Sequence, residues 1–349
     1  MIIQTQMEIE ALQAPLVLAE QMRANQALLS SLARRLRESP PYLAMTIARG
    51  SSDHAATFAK YVLETRAGII TTSAFPSVFT LYQKKLPLKN CLVIAISQSG
   101  ASLDVAEMLS AARLQGAITV AFVNECDSTL ANAAEYVVPL GAGPEKAVAA
   151  TKTYLATLGA LIQFTAILTE DDALQKKLLQ LPEALSQAST MDWSQALVSL
   201  QTRNNALVVA RGYGLPIAQE AALKMKETAK LHAEAFSGAE LLHGPFALVE
   251  KNFPLLLFAQ QDQTLPSMLE IATRMKALGA TVLLALASHP EQHLTDVASI
   301  LLPLPPALHP ICDPLLIIQA FYKMIARLSL ARGFNPDAPD NLSKVTMTW

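Results

Sequence analysis

Leu43-Ala44-Met45-Thr46-Ile47-Ala48-Arg49-Gly50-Ser51-Ser52 runs from an apolar stretch into a turn of small residues, and a helical pattern from His54 to Thr65 follows it. A buried strand, a tight turn and a helix, in that order, open a βαβ unit. The same opening recurs at Ala206-Leu207-Val208-Val209-Ala210-Arg211-Gly212, followed by a helical pattern through Lys230. The two Arg-Gly pairs lie 162 residues apart (211 − 49). Later elements keep step. Leu92–Ile96 answers to Leu255–Phe258, and Gly116-Ala117-Ile118-Thr119-Val120 answers to Gly279-Ala280-Thr281-Val282, 163 residues on (279 − 116). An ordered recurrence of that length predicts two copies of one α/β domain. Each copy alternates short apolar strands with helices, so each is expected to form a mostly parallel, doubly wound sheet flanked by helices.

Outward from these openings, residues 1–40 read as a helical segment, with Leu12, Leu16, Ala19 and Met22 at helical spacing and Pro40-Pro41 as its stop. Charges, Pro182 and Ser-rich pieces break the pattern between Asp171 and Asn204. The expected domains are therefore 41–190 and 191–335, with a polar tail at 336–349. A length of 349 residues suits two domains, and 52% hydrophobic against 16% charged residues excludes a disordered chain. A net charge of -2 with no basic block gives no electrostatic footprint for nucleic acid. Cys91, Cys126 and Cys312 are odd in number and far apart, which predicts free thiols in a reducing, cytoplasmic setting rather than disulfides or zinc. Glu8 and Glu10 break the layout of a signal peptide. The longest uncharged stretch, Thr153–Thr169, falls short of a membrane span and reads as a buried helix.

In open parallel sheets ligands bind beyond the carboxyl ends of the strands, so the turns there are where chemistry is expected. Ile94-Ala95-Ile96-Ser97-Gln98-Ser99-Gly100-Ala101-Ser102 carries a strand into hydroxyls, an amide and a glycine, with a helix starting near Ser102. Helix N-terminal N–H groups with nearby hydroxyls suit a phosphate dianion, and the absence of a following lysine favours a compact sugar phosphate over a triphosphate. Simple helix capping by Ser99 or Ser102 is the alternative. The matching turn of the second copy, Ala259-Gln260-Gln261-Asp262, lacks hydroxyls and adds a carboxylate. A capping need would apply to both copies, whereas a ligand need can apply to one. The second copy instead carries Glu220, Lys224 and Glu227 at i, i+4 and i+7 on one helical face. By spacing alone, a solvated ion pair is the commoner meaning of such a face. His243, followed by Gly244-Pro245, is expected in a turn, where an imidazole can exchange protons near neutrality. His54 and His232 read as surface or packing residues. Lys344, in the tail Asp337-Ala338-Pro339-Asp340-Asn341-Leu342-Ser343-Lys344, reads by composition as a solubilising charge on a frayed end.

Five ordered segments carry a resemblance: Ile96-Ser97-Gln98-Ser99-Gly100, Ala222-Leu223-Lys224-Met225-Lys226-Glu227, His232-Ala233-Glu234-Ala235, Glu240-Leu241-Leu242-His243-Gly244-Pro245 and Asn341-Leu342-Ser343-Lys344. Together they resemble the sugar isomerase (SIS) domain family, and within it the isomerase halves of glucosamine-6-phosphate synthases, over nearly the whole chain after the first helix. The resemblance implies two tandem SIS domains. It implies that Ser97, Gln98, Ser99 and Ser102 hold a sugar phosphate, with Ser51 and Ser52 in the hydroxyl turn of the first strand. Glu227 would move a proton between C1 and C2, supported by Lys224, with Glu220 near the sugar. His243 would open the sugar ring, reaching in from the partner of a homodimer with shared sites, and Lys344 would close over the sugar. Arg49, Ala101 and Ala150 depart from the family, standing where synthases have a cysteine, an acidic residue and a serine. Before the first copy only a helix follows Met1-Ile2-Ile3, so neither a glutaminase part nor an ammonia source of its own is expected. The reaction implied is conversion of glucosamine 6-phosphate to fructose 6-phosphate and ammonia, without metal or other cofactor. The alternatives are a fructosyl-amino-acid 6-phosphate deglycase, a galactosamine 6-phosphate deaminase, a plain sugar-phosphate isomerase and a non-catalytic sugar-phosphate sensor.

Overall fold

A computed structural model describes residues 4–287, 294 and 296–344. The chain forms two compact units. One gathers residues through Pro15, Lys146–Thr151 and Gln180–Leu342; the other gathers Leu16–Glu145, Lys152–Leu179, Ser343 and Lys344. The first helix, Gln6–Glu38, contains Pro15 at the point where the chain passes from one unit to the other.

In the unit built on the first copy, the strands are β1 (Ala44–Ile47), β2 (Thr71–Ser73), β3 (Leu92–Ser97), β4 (Ile118–Val123) and β5 (Tyr136–Pro139). They are all parallel, in the order β2-β1-β3-β4-β5. In the unit built on the second copy, β6 (Asn205–Ala210), β7 (His232–Ser237), β8 (Pro254–Ala259), β9 (Thr281–Leu286) and β10 (Ile300–Leu302) are again all parallel, in the order β7-β6-β8-β9-β10. Strand for strand, the two orders are the same, as the repeat requires. The recurrences legible in the sequence fall on β1 and β6, β3 and β8, and β4 and β9. The strands left unread, β2, β5, β7 and β10, are the four edge strands, where little apolar patterning is needed.

Both faces of each sheet are covered, which is why the central strands read as continuous apolar runs. In the first-copy unit, Val93, Ala95, Ala121 and Val123 pack with Val105, Met108 and Leu109 of the helix Leu103–Leu114. On another side Phe122 meets Phe164, ring centroids 6.3 Å apart, on the helix Lys152–Leu168. Every residue of that helix is buried, as expected of the uncharged stretch. In the second-copy unit Leu255, Leu257, Val282 and Leu284 pack with Met268, Ile271 and Met275, and Phe258 meets Phe321 of the helix Asp313–Ala331 at 6.3 Å. That last helix is long and apolar enough to cross a membrane, but 78% of its apolar window is buried inside the fold. Cys91 and Cys312 are buried thiols outside any disulfide, and Cys126 is an exposed one.

Candidate functional site

The strand order reverses between β1 and β3, so the connections leaving these neighbours diverge and open a crevice beyond their carboxyl ends. The Arg49–Ser52 turn follows β1, and Ser51 and Ser52 begin the helix Ser51–Val62. The Ser97–Ser102 loop follows β3, so the fold brings the two hydroxyl-bearing turns to adjacent strand ends. Ser97 Oγ accepts the Gly100 N–H at 3.0 Å, and Ser99 Oγ accepts that of Ala101 at 3.3 Å. Gly100 has φ +63°, and a Cβ there would lie 2.0 Å from Ser128 Oγ, so the loop can take this course only with glycine. Ser102 immediately precedes the helix Leu103–Leu114, but its side chain makes no capping bond. Capping therefore does not account for Ser102. Arg49 Nη2 reaches the buried Asp104 Oδ2 at 2.7 Å, neutralising the one carboxylate in the first turn of that helix.

Lys344 belongs to the same unit. Its Nζ lies 3.0 Å from Glu145 Oε2, a fully buried carboxylate that also accepts the Thr153 N–H (3.1 Å) and hydroxyl (2.7 Å). The composition-based reading of a frayed solubilising end is thus corrected: the ammonium has a buried partner. Nearby tail residues are tied within the other unit. Asp337 accepts the N–H groups of Gln6 and Met7, both at 2.8 Å, at the start of the first helix. Sequence reasoning missed Glu145. The available signal was its position as the only acid between Glu135 and Glu170, just ahead of the uncharged helix.

In the second-copy unit, Glu220, Lys224 and Glu227 lie on the helix Leu215–Ala229. Lys224 Nζ is 3.3 Å from Glu220 Oε1 and 2.5 Å from Glu227 Oε2. Glu220 and Lys224 are 0% and 1% exposed, and Glu227 is 22% exposed. The solvated pair that spacing alone favours is therefore not what forms. Burial by itself would depress the Lys224 ammonium, but Glu220 and Glu227 more than offset this and hold it above the ordinary lysine value. One cation then serves two carboxylates, and the outer one, Glu227, keeps an exposed edge. His243 sits in an exposed turn after the short helix Gly238–Leu241 and before Pro245; its imidazole hydrogen-bonds no described residue.

At the reversal point of the second sheet, the fully buried Gln260 Nε2 donates to the Arg211 carbonyl (2.9 Å), Asp262 Oδ2 (3.0 Å) and Thr264 Oγ1 (3.2 Å). Asp262 in turn accepts the Thr264 N–H at 2.8 Å. Side chains of this turn bind one another, whereas in the first copy Ser97 and Ser99 accept N–H groups of their own loop backbone. The copies nevertheless keep an equivalent side-chain contact here: Arg211 Nη1 donates to Ser267 Oγ (3.0 Å), where Arg49 binds Asp104.

The family model for the SIS domain matches residues 44–167 and again residues 199–328. Glutamine–fructose-6-phosphate aminotransferase [isomerizing] from Aeropyrum pernix is 31% identical over 320 residues, 86% of this chain and 50% of its own length. The enzyme of the same name from Thermotoga maritima is 31% identical over 353 residues, 93% of this chain and 57% of its own. The chain thus spans about half the length of these curated relatives. A crystal structure from Silicibacter pomeroyi DSS-3, described as a candidate phosphosugar isomerase, superposes with a TM-score of 0.89 at 37% identity, covering 96% of this chain and 100% of the other. The C-terminal domain of glucosamine-fructose-6-phosphate aminotransferase from Francisella tularensis superposes with a TM-score of 0.87 at 26% identity, over 97% and 99% of the two chains. With two matched segments covering most of its length on two sheets of one topology, this chain belongs to the SIS domain family.

Proposed function

We propose that the chain is an amino-sugar phosphate deaminase and isomerase that converts glucosamine 6-phosphate and water to fructose 6-phosphate and ammonia. The observation that carries this reading is the buried Glu220–Lys224–Glu227 cluster, in which a charged lysine orients a carboxylate that remains partly open. The names of the relatives, which join fructose 6-phosphate, an amino transfer and isomerisation, support it. Ser97, Gln98, Ser99 and Ser102, with Ser51 and Ser52, anchor the phosphate. His243 passes a proton to the ring oxygen as the sugar opens, and its exposed turn suits delivery to the partner subunit of a homodimer. Glu227 takes the proton from C2 of the open-chain aldehyde, forming an enolamine, and returns a proton to C1. The product is a ketimine at C2; water adds to it, the C–N bond breaks, and ammonia leaves fructose 6-phosphate. The carbonyl and imine act as the electron sink, so the protein's task is a positioned base and a fixed phosphate. Lys344 closes over the bound sugar.

A coupled assay of ammonia release, with the sugar product followed by NMR, tests the reading. Ammonia and fructose 6-phosphate should form together from glucosamine 6-phosphate. Ammonia from galactosamine 6-phosphate alone would move the substrate, and cleavage of a fructosyl-amino-acid 6-phosphate alone would make the chain a deglycase. Interconversion of unaminated sugar phosphates alone would make it a plain isomerase. Tight binding with no turnover of any of them would make it a sensor.

A further inference from the structure

Glu145 is a carboxylate built into place. Its side chain is 0% exposed, and Thr153, which gives it an N–H and a hydroxyl, is buried at the first turn of the helix Lys152–Leu168. A buried carboxylate is unfavourable unless it is both hydrogen-bonded and paired with a cation. Thr153 and the helix dipole supply the first need from within the rigid helix; Lys344 Nζ, at 3.0 Å, meets the second from the tail. The helix side of the contact is fixed by packing, whereas the lysine arrives on a Pro-containing segment that owes its position to a few such ties. We propose that Glu145 is a positioning residue for Lys344: its preorganised carboxylate captures the ammonium and holds Lys344 in one place. The value of that position for turnover rests on the reading of Lys344 as the residue that closes over the sugar; the capture itself does not.

Native-state trypsin digestion of the full chain tests the capture without any substrate, because cutting after Lys344 requires its side chain to leave Glu145 and enter the protease. Glu145→Gln keeps the shape and one acceptor but removes the charge, so cleavage at Lys344 should accelerate about tenfold or more, with melting temperature and cleavage at other sites unchanged. Thr153→Val, which removes one of the bonds that preset the carboxylate, should accelerate it less, and it carries the test should Glu145→Gln not fold. An unchanged rate at Lys344 in these variants overturns the proposal. With an amino-sugar phosphate as substrate, Glu145→Gln should lower kcat more than it alters KM and should add no further loss to Lys344→Ala. Losses that multiply in the double variant overturn a role exerted through Lys344. If Lys344→Ala turns over at the native rate, the reading of Lys344 fails, and the trypsin result still decides the capture.

Discussion

Lys224 and Glu227 are joined at 2.5 Å, yet their surroundings differ: the lysine is 1% exposed and the glutamate 22%. The inner carboxylate, Glu220, is 0% exposed and stands 3.3 Å from the same ammonium. A cation enclosed this way is held charged by its neighbours, so it serves as a fixed positive charge rather than a proton acceptor. Of the three groups, Glu227 alone has both a pinned orientation and an open edge.

Removing that cation strands two carboxylates, one of them fully buried. Lys224→Met keeps most of the volume and should destabilise the chain by about 3–5 kcal/mol, the range for breaking one side of a buried ion pair. The pH dependence has a definite sign. Lys224 is held above the ordinary lysine value of 10.5, so its stabilisation is complete below that pH and is lost only as pH rises through the higher folded value. Scanning calorimetry from about pH 7 to 10 checks this: the native chain should melt above the variant by a gap that stays constant across the range, and no gap would show that the cluster's charge does not matter to stability.

The duplication was legible because β1, β3 and β4 and their counterparts are buried on both faces and must be apolar throughout. The edge strands β2, β5, β7 and β10 carry no such constraint and went unread. Site legibility followed the same logic. The Ser97–Ser102 loop and the Glu220–Lys224–Glu227 face are local in sequence, so residue types and spacing displayed them. Whether that face is dry is not local: it depends on packing around the helix Leu215–Ala229, and spacing alone favoured the wrong answer. Glu145 was invisible because its partner lies 199 residues away and no periodicity links them.

Gly100 tests whether the loop after β3 needs its backbone course. Its φ of +63° is strained for any side chain, and a Cβ would press on Ser128, which caps the next short helix through the Ala131 N–H. Gly100→Ala should therefore cost about 1–3 kcal/mol of stability, read as a lower denaturant midpoint, and weaken binding of a phosphorylated ligand more than about tenfold. Native binding by calorimetry in this variant would show that the loop geometry is dispensable.

Phosphate binding should be confined to the first copy. Ser97→Ala with Ser99→Ala removes hydroxyls that could each give a charge-assisted hydrogen bond worth ~1.5–3 kcal/mol, so affinity for a sugar-phosphate analogue should fall strongly. Gln261→Ala, in the matching turn of the second copy, should leave affinity unchanged. Gln260 is the poorer control, because it is fully buried and holds three polar partners; its loss should appear as a lower melting temperature. Equal loss of affinity from the serine pair and from Gln261 would refute the asymmetry.

Glu227 carries the most weight in the proposed chemistry, and an isosteric change isolates its basic site. Glu227→Gln keeps the size and can still accept from Lys224, so folding and sugar-phosphate binding should stay near native. Turnover should fall by the ~10²–10⁴-fold typical of a lost general base, with the loss in kcat rather than in KM. Lys226→Ala, one position away with its side chain directed to the Ala233 carbonyl at 3.1 Å, is the control and should keep native turnover. With the native chain, deuterium from solvent can appear at C1 of fructose 6-phosphate if the carboxyl exchanges its proton before returning it. A base that shuttles faster than it exchanges would leave the product unlabelled, so the mutant rate is the deciding measurement. If Glu227→Gln turns over at a near-native rate, Glu227 is not the base, and Glu220, enclosed behind Lys224, becomes the next carboxylate to test.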